Sequence, residues 1–169
     1  MKGITGFRGK ILLSLLSLLA LSLGSVVVAA PAPSTAGKWW GDYFDNAGLS
    51  GGPVLSRYDD ALDFNWGHGS PDDAIPTDNF SVRWLRDDAW FAGGTYRFTV
   101  ASDDGVRVWV GDQLVVDEWY DRDPSTFYVD HYIPAGTYPV RVEYYEHTGG
   151  ALISLGWERI VGGETWRGE

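Results

Sequence analysis

Tyr96-Arg97-Phe98-Thr99-Val100-Ala101-Ser102-Asp103-Asp104-Gly105-Val106-Arg107-Val108-Trp109-Val110 sets apolar and polar side chains in alternation on either side of a short polar break. Neighbouring side chains of an extended chain point to opposite faces, so a period of two marks strands with one buried face. The alternation recurs upstream at Phe80, Val82 and Trp84. Downstream it returns at Tyr138, Val140, Val142 and Tyr144, then at Ala151, Ile153, Leu155 and Trp157. No stretch after residue 38 carries a helical period. Between the runs lie Gly93-Gly94, Gly111-Asp112, Pro134-Ala135-Gly136 and Gly149-Gly150. Gly tolerates positive φ and Pro presets its own, so each is expected to reverse the chain. Many short strands punctuated in this way predict an all-β protein, an antiparallel β-sandwich of jelly-roll-like type. Its core would draw on nine Trp, nine Tyr and seven Phe.

Strand parity extends the reading. If the strands from Val106 to Trp157 form a simple antiparallel meander, three polar loops share one end: Ser102 to Gly105, Trp119 to Ser125, and Glu146 to Gly150. A rim of loops held by a rigid sandwich is where β domains usually place a binding site.

The first thirty residues stand apart. Lys2, Arg8 and Lys10 precede an apolar run from Ile11 to Leu23 and small residues through Ala30. Residues 1–30 are therefore expected to be a secretory signal peptide, with an uncleaved N-terminal anchor as the alternative, since the run approaches the roughly 20 residues that span a bilayer. Either places the remainder outside the cytoplasm, secreted or at the cell surface. Residues 31–37 read as a Pro-, Ser- and Ala-containing tether, 38–160 as one β-sandwich and 161–169 as a C-terminal tail. The chain has no cysteine, so no disulfide can staple the domain, which must rely on packing and on whatever metal it holds. Removing Lys2, Arg8 and Lys10 with the export segment takes the net charge from −10 to −13. So acidic a surface repels phosphate, which argues against nucleic acid and leaves a membrane role only to the N-terminal segment. A divalent cation or a neutral sugar is compatible with the charge, as is mere solubility.

The sharpest local feature is Asp103-Asp104-Gly105, adjacent carboxylates at a bend between two strands. Calcium takes several oxygen ligands. In an extended segment the two side chains diverge, so both reach one ion only if the backbone bends strongly or the peptide is cis. The alternative is ordinary turn chemistry, an Asp side chain capping nearby amides beside Gly105. Trp119-Tyr120 and His147-Thr148 offer the complement of a sugar, a flat apolar face and hydroxyl-gripping groups. For Trp119 a buried position is an equal reading. No catalytic constellation stands out: Cys is absent, no Gly-x-Ser-x-Gly elbow occurs, and His68, His131 and His147 lack metal spacing. The chain is not expected to be an enzyme.

Several ordered blocks carry a resemblance. Gly41-Asp42-Tyr43-Phe44-Asp45-Asn46, Leu62-Asp63-Phe64-Asn65-Trp66-Gly67-His68-Gly69-Ser70-Pro71, Asp78-Asn79-Phe80-Ser81-Val82-Arg83-Trp84, Ser102-Asp103-Asp104-Gly105-Val106 and Glu143-Tyr144-Tyr145-Glu146 together resemble the PA-fourteen domain family, a β-sandwich named for a fragment of anthrax protective antigen. The resemblance covers the chain after the export segment, and it implies extracellular recognition, as in adhesins, toxins and accessory parts of glycosidases. In the family's lectins two adjacent aspartates joined by a cis peptide hold a calcium ion that also grips sugar hydroxyls, and Asp103 and Asp104 match them. The lectins complete that site from a later loop that usually offers Asn. Here the loop is Glu146-His147-Thr148-Gly149-Gly150, so Glu146 is either a substitute ligand or a structural residue. The resulting expectation is a calcium-assisted carbohydrate-binding module. Asp103, Asp104 and Glu146 would hold the metal, and Trp119, Tyr120, His147 and Thr148 would face a glycan or glycoconjugate. The alternative is a structural or protein-interaction sandwich with no sugar ligand.

Overall fold

Alternating runs become strands where one face can be buried. Among residues 35–161, the residues described in the computed structural model, every such run is a strand and no helix occurs. The elements are β1 (Trp39–Phe44), β2 (Leu55–Asp59), β3 (Asp63–Gly67), β4 (Phe80–Asp103), β5 (Gly105–Val110), β6 (Gln113–Glu118), β7 (Ser125–Glu146) and β8 (Ala151–Arg159). The expected export segment, most of the tether and all but the first residue of the tail lie outside the described residues.

β4 and β7 organise the architecture. They pair antiparallel from Phe80↔Glu146 at one end to Ser102↔Ser125 at the other. Yet Asp103 and Glu146, from opposite ends of this ribbon, place carboxylate oxygens within 4.8 Å of each other. The paired ribbon therefore folds back on itself. Its corner lies at the register shift between Arg86 and Ala89 and at Gly93, where φ is +76° and the Ala135 backbone crowds any added β-carbon. The half near Phe80 belongs to a layer ordered β2-β1-β4-β7-β5-β6. The half near Ser102 belongs to a second layer, where β8 joins β4 and β3 joins β8.

This corrects the expected meander. β5 lies between β6 and β7, and β8 pairs with β4 and β3 rather than with β7. Gly93-Gly94 and Pro134-Ala135-Gly136 do redirect the chain, but as facing parts of one bent ribbon, with Phe91 opposite Gly136 and Ala92 opposite Ala135, not as hairpin turns. The three polar loops still meet, because folding the ribbon has the same effect on direction as the expected reversal.

Between the layers the alternating residues close a core that includes Phe80, Val82, Trp84, Phe98, Val106 and Val142, all fully buried. Trp84 stacks on Phe64 at 5.8 Å and meets Tyr43 edge-on at 5.9 Å. Rings of this size bury about 150–250 Å² each and dominate such a core. One carboxylate enters it fully satisfied: Asp59 accepts from Trp84 Nε1 at 2.8 Å, from Arg57 Nε at 2.8 Å and from the Tyr43 hydroxyl. Gly41 has to be glycine beside this network, since a β-carbon would lie 2.8 Å from Trp84 Nε1 and 2.9 Å from Asp59 Oδ2.

Candidate functional site

β4 ends in the second layer at Asp103, and β5 begins in the first at Gly105. Asp103-Asp104 is thus the step by which the chain crosses between layers, and its peptide bond is cis. At the end of β7, Glu146 arrives from the first layer. Asp103, Asp104 and Glu146 are all buried, and each offers an oxygen within 4.8 Å of the others.

Asp104 ties the surrounding loops down. Its Oδ1 accepts the Arg122 backbone N–H at 2.9 Å and its Oδ2 accepts the His147 backbone N–H at 2.9 Å. The Tyr144 hydroxyl donates to the Asp103 carbonyl and lies 3.4 Å from Glu146 Oε2. Close approach sets two glycines here. A β-carbon on Gly150 would sit 3.1 Å from Asp103 Oδ2, and one on Gly105 would sit 2.1 Å from the Tyr145 ring.

Amide capping, the turn reading, accounts for Asp104 but not for its neighbours. Neither carboxylate oxygen of Asp103 takes a hydrogen bond among the described residues, and Glu146 Oε1 is buried without a partner. None of the three has an ion-pair partner among those residues. Burial pushes Asp103 up to about 6, helped by the charges of Asp104 and Asp123, and burial with the charges of Asp104 and Asp103 pushes Glu146 up to about 8. Three crowded hard-oxygen donors without a cationic partner, two of which keep oxygens that accept no hydrogen bond, fit a calcium-type ion by their chemistry.

An open hollow of about 760 Å³ is lined by Asp103 and Asp104 together with Asp121, Arg122, Asp123, His68, Thr148 and Gly149. A shallower hollow of about 330 Å³ adjoins it, bordered by Trp119, Tyr145 and His147. Asp121 belongs to both: its Oδ1 accepts the Tyr145 hydroxyl at 2.7 Å, and its Oδ2 lies 2.8 Å from His147 Nδ1. Those two contacts, Tyr145 first, hold its carboxyl below the usual range.

The residues expected at the site divide accordingly. Asp103, Asp104 and Glu146 come together, and Thr148 borders the larger hollow. Trp119 and His147 border the smaller one. Trp119 is half-buried, edge-on to Tyr145 at 4.7 Å, with the Arg107 guanidinium 4.9 Å from its ring. Tyr120, although 55% exposed, packs against Arg122 at 4.3 Å and borders neither hollow. Strand parity gives the end at which a residue lies, not the direction of its side chain. Two contributors escaped the sequence reading. His68 Nδ1 lies 2.9 Å from the Gly149 carbonyl, and Asp78 accepts the Gly149 N–H at 3.0 Å. The block from Leu62 to Pro71 stood out only through the family resemblance, and the β3–β8 pairing that carries it to the rim is not visible in local pattern.

Comparison with known proteins bears on the fold and the family. The anti-sigma-I factor RsgI3 of Acetivibrio thermocellus is 36% identical over 118 residues, 69% of this chain and 18% of that protein. A solved anti-sigma factor domain-containing protein is 35% identical with a TM-score of 0.66, over 72% of this chain and 42% of that one. The chain therefore spans well under half the length of either relative. A PA14 sugar-binding domain from an RTX adhesin shares the fold at 18% identity and a TM-score of 0.56, over 73% of this chain and 90% of that domain. The family profile described as PA14 domain matches residues 34–165, and the chain belongs to the PA14 domain family.

Proposed function

We propose that this PA14 domain is a non-catalytic, calcium-assisted carbohydrate-binding module. The observation that carries the reading is the buried cluster of Asp103, Asp104 and Glu146, with its orphaned Glu146 oxygen, whose two aspartates line an open polar hollow. Calcium takes six to eight oxygens. Three carboxylates supply only part of such a shell, and hydroxyls entering the hollow would complete it. Thr148, Asp121 and His68 border the hollow, where they would hydrogen-bond the remaining hydroxyls. The adhesin domain of the same fold is described as sugar-binding, which supports this choice of ligand class. Affinity at one such open, wet site would be weak, because little surplus remains after desolvation and ordering.

The test is a glycan array, followed by calorimetry on any sugar that scores, with calcium and with chelator. Binding that needs calcium and disappears in Asp103→Asn and Asp104→Asn supports the reading. Sugar binding that persists unchanged in chelator, or a calcium-loaded protein that takes no glycan, removes it.

A further inference from the structure

The outer face of the first layer is ordered in rows across its strands. The registers Tyr58↔Trp40↔Leu85↔Arg141↔Trp109↔Leu114 run through all six strands, and every member is exposed or half-buried on the outside. Two residues nearer the carboxylate end runs a charged row, Asp42, Arg83, Glu143, Arg107 and Asp117, of alternating sign. It satisfies itself: Arg83 pairs with Glu143 at 2.9 Å and Arg107 with Asp117 at 2.8 Å. The apolar row is covered at one point, where the Arg141 guanidinium lies 3.9 Å from the centre of the Trp109 ring and reaches Glu143 at 4.0 Å; its other members stay open. Tyr58 is 50% exposed, Leu114 42%, Trp40 39% and Leu85 38%.

We propose that this row is a second ligand site, a cation-independent track for a linear, neutral polysaccharide. Its shape decides the occupant. Six strands at their usual spacing make it about 24 Å long, yet it is one side chain wide and bounded by the ionic row. Half-exposed rings and leucines of this number present roughly 300–400 Å², about half of the roughly 800 Å² that each partner of a stable protein interface contributes. A narrow strip of this length suits an extended chain better than a second protein surface. The chemistry also suits pyranose rings, which have apolar faces and hydroxyl edges. Trp40 spends its indole N–H on Asp42 Oδ1 at 3.1 Å, so what remains to a ligand is ring surface. Two hollows, of about 380 and 270 Å³, lie on either side of Leu85. One holds Trp40 and Tyr58, the other Trp109, and Asp87 and Asp112 stand at their edges without hydrogen-bond or ion-pair partners among the described residues. Positive charge from Arg141 within the row and from Lys38 at its edge, where it pairs with Asp60 at 2.7 Å, is set against these aspartates, which suits an uncharged ligand. Leu85 lies five residues along β4 from Phe80, about 17 Å from the carboxylate end, so the track and the cation site are separate.

Cosedimentation of the purified protein with cellulose, xylan and galactomannan, all in chelator, tests the proposal. Retention by at least one of them is expected, weakened about tenfold by Trp40→Ala and by Trp109→Ala, as loss of a stacked ring predicts. Asp103→Asn should leave that retention unchanged, so this outcome is independent of the calcium reading. Tyr58→Ser, on the edge strand β2, provides a second weakening variant if a tryptophan variant fails to fold. No retention of the parent in chelator overturns the proposal, as does retention that survives all three substitutions. A parent that sediments as a dimer, and becomes monomeric on Trp40→Ala, assigns the row to a second copy of the chain and overturns it equally.

Discussion

Glu146→Gln keeps the side chain's shape and removes one charge from a cluster whose oxygens lie within 4.8 Å of one another. Two ionised carboxylates at that separation repel by about 3.5 kcal/mol at an effective dielectric constant of about 20. Without metal the parent sheds part of this repulsion by protonating Glu146, which is pushed up to about 8. The relief from substitution is therefore greatest near pH 9, where it should reach about 1–2 kcal/mol, a fraction of the full pair repulsion. With calcium the sign reverses, because the same charge now holds the ion. Binding only to the folded state, at about 100-fold above the dissociation constant, adds about 2.7 kcal/mol. For a domain of this size that corresponds to a melting shift of roughly 10 °C. Thermal unfolding of parent and Glu146→Gln near pH 9, each in chelator and in calcium, should then show crossed curves: the variant melts a few degrees above the parent in chelator and well below it in calcium. Equal calcium-induced rises in both proteins would refute the argument that Glu146 is a ligand. A variant that melts below the parent in chelator would show that its carboxylate is structural.

Contacts in the fold and the site set further outcomes. In chelator, stability should fall as pH rises from about 4 to about 8, because Asp103 at about 6 and Glu146 at about 8 are held above their ordinary values and the fold favours their neutral forms. Calcium affinity should rise over the same window as protons cease to compete, and urea midpoints across pH check both. Gly105→Ala drives a β-carbon to within 2.1 Å of the Tyr145 ring and should cost about 2–3 kcal/mol or more in chemical denaturation. Asp59→Ala strands the Trp84, Tyr43 and Arg57 donors and should cost about 2–4 kcal/mol, read as a lower urea midpoint with an unchanged slope, whereas calcium-dependent sugar binding by the folded fraction should be retained.

The strands were legible because their signal is local: Phe80, Val82 and Trp84, or Val106, Val108 and Val110, reveal a buried face from spacing alone, and all six are fully or nearly fully buried. The corner was not, since Gly93-Gly94 and Pro134-Ala135-Gly136 look like hairpin turns until it is known that they face each other within one paired ribbon. At the site, adjacent carboxylates at a break between strands drew attention to Asp103 and Asp104, and strand parity brought the loop that begins at Glu146 to the same end. His68 and Asp78 stayed hidden because they reach the rim through pairing and bonds with residues more than seventy positions away. The outer row is a matter of register as well. Trp40, Leu85 and Trp109 occupy unremarkable places in their own strands, and only pairing aligns them.

The position of the carboxylates has a mechanical consequence in a chain without cysteine. Asp103 ends a strand of the second layer, Glu146 ends a strand of the first, and Asp104 lies on the crossing between them. An ion held by all three would join the two layers at the rim, where the strands give way to loops. Through its two amide acceptors Asp104 would pass that constraint to Arg122 and His147, the backbone positions that shape the hollow. Metal binding and ordering of the hollow would thereby be coupled: chelation should loosen residues 119–124 and 146–150 before it melts the sheet. Amide hydrogen exchange at Arg122 and His147 reads this directly. Their protection should drop on chelation while that of Val108 and Val142 holds, and a uniform drop across all four would mean that the ion stabilises the fold globally without organising the site.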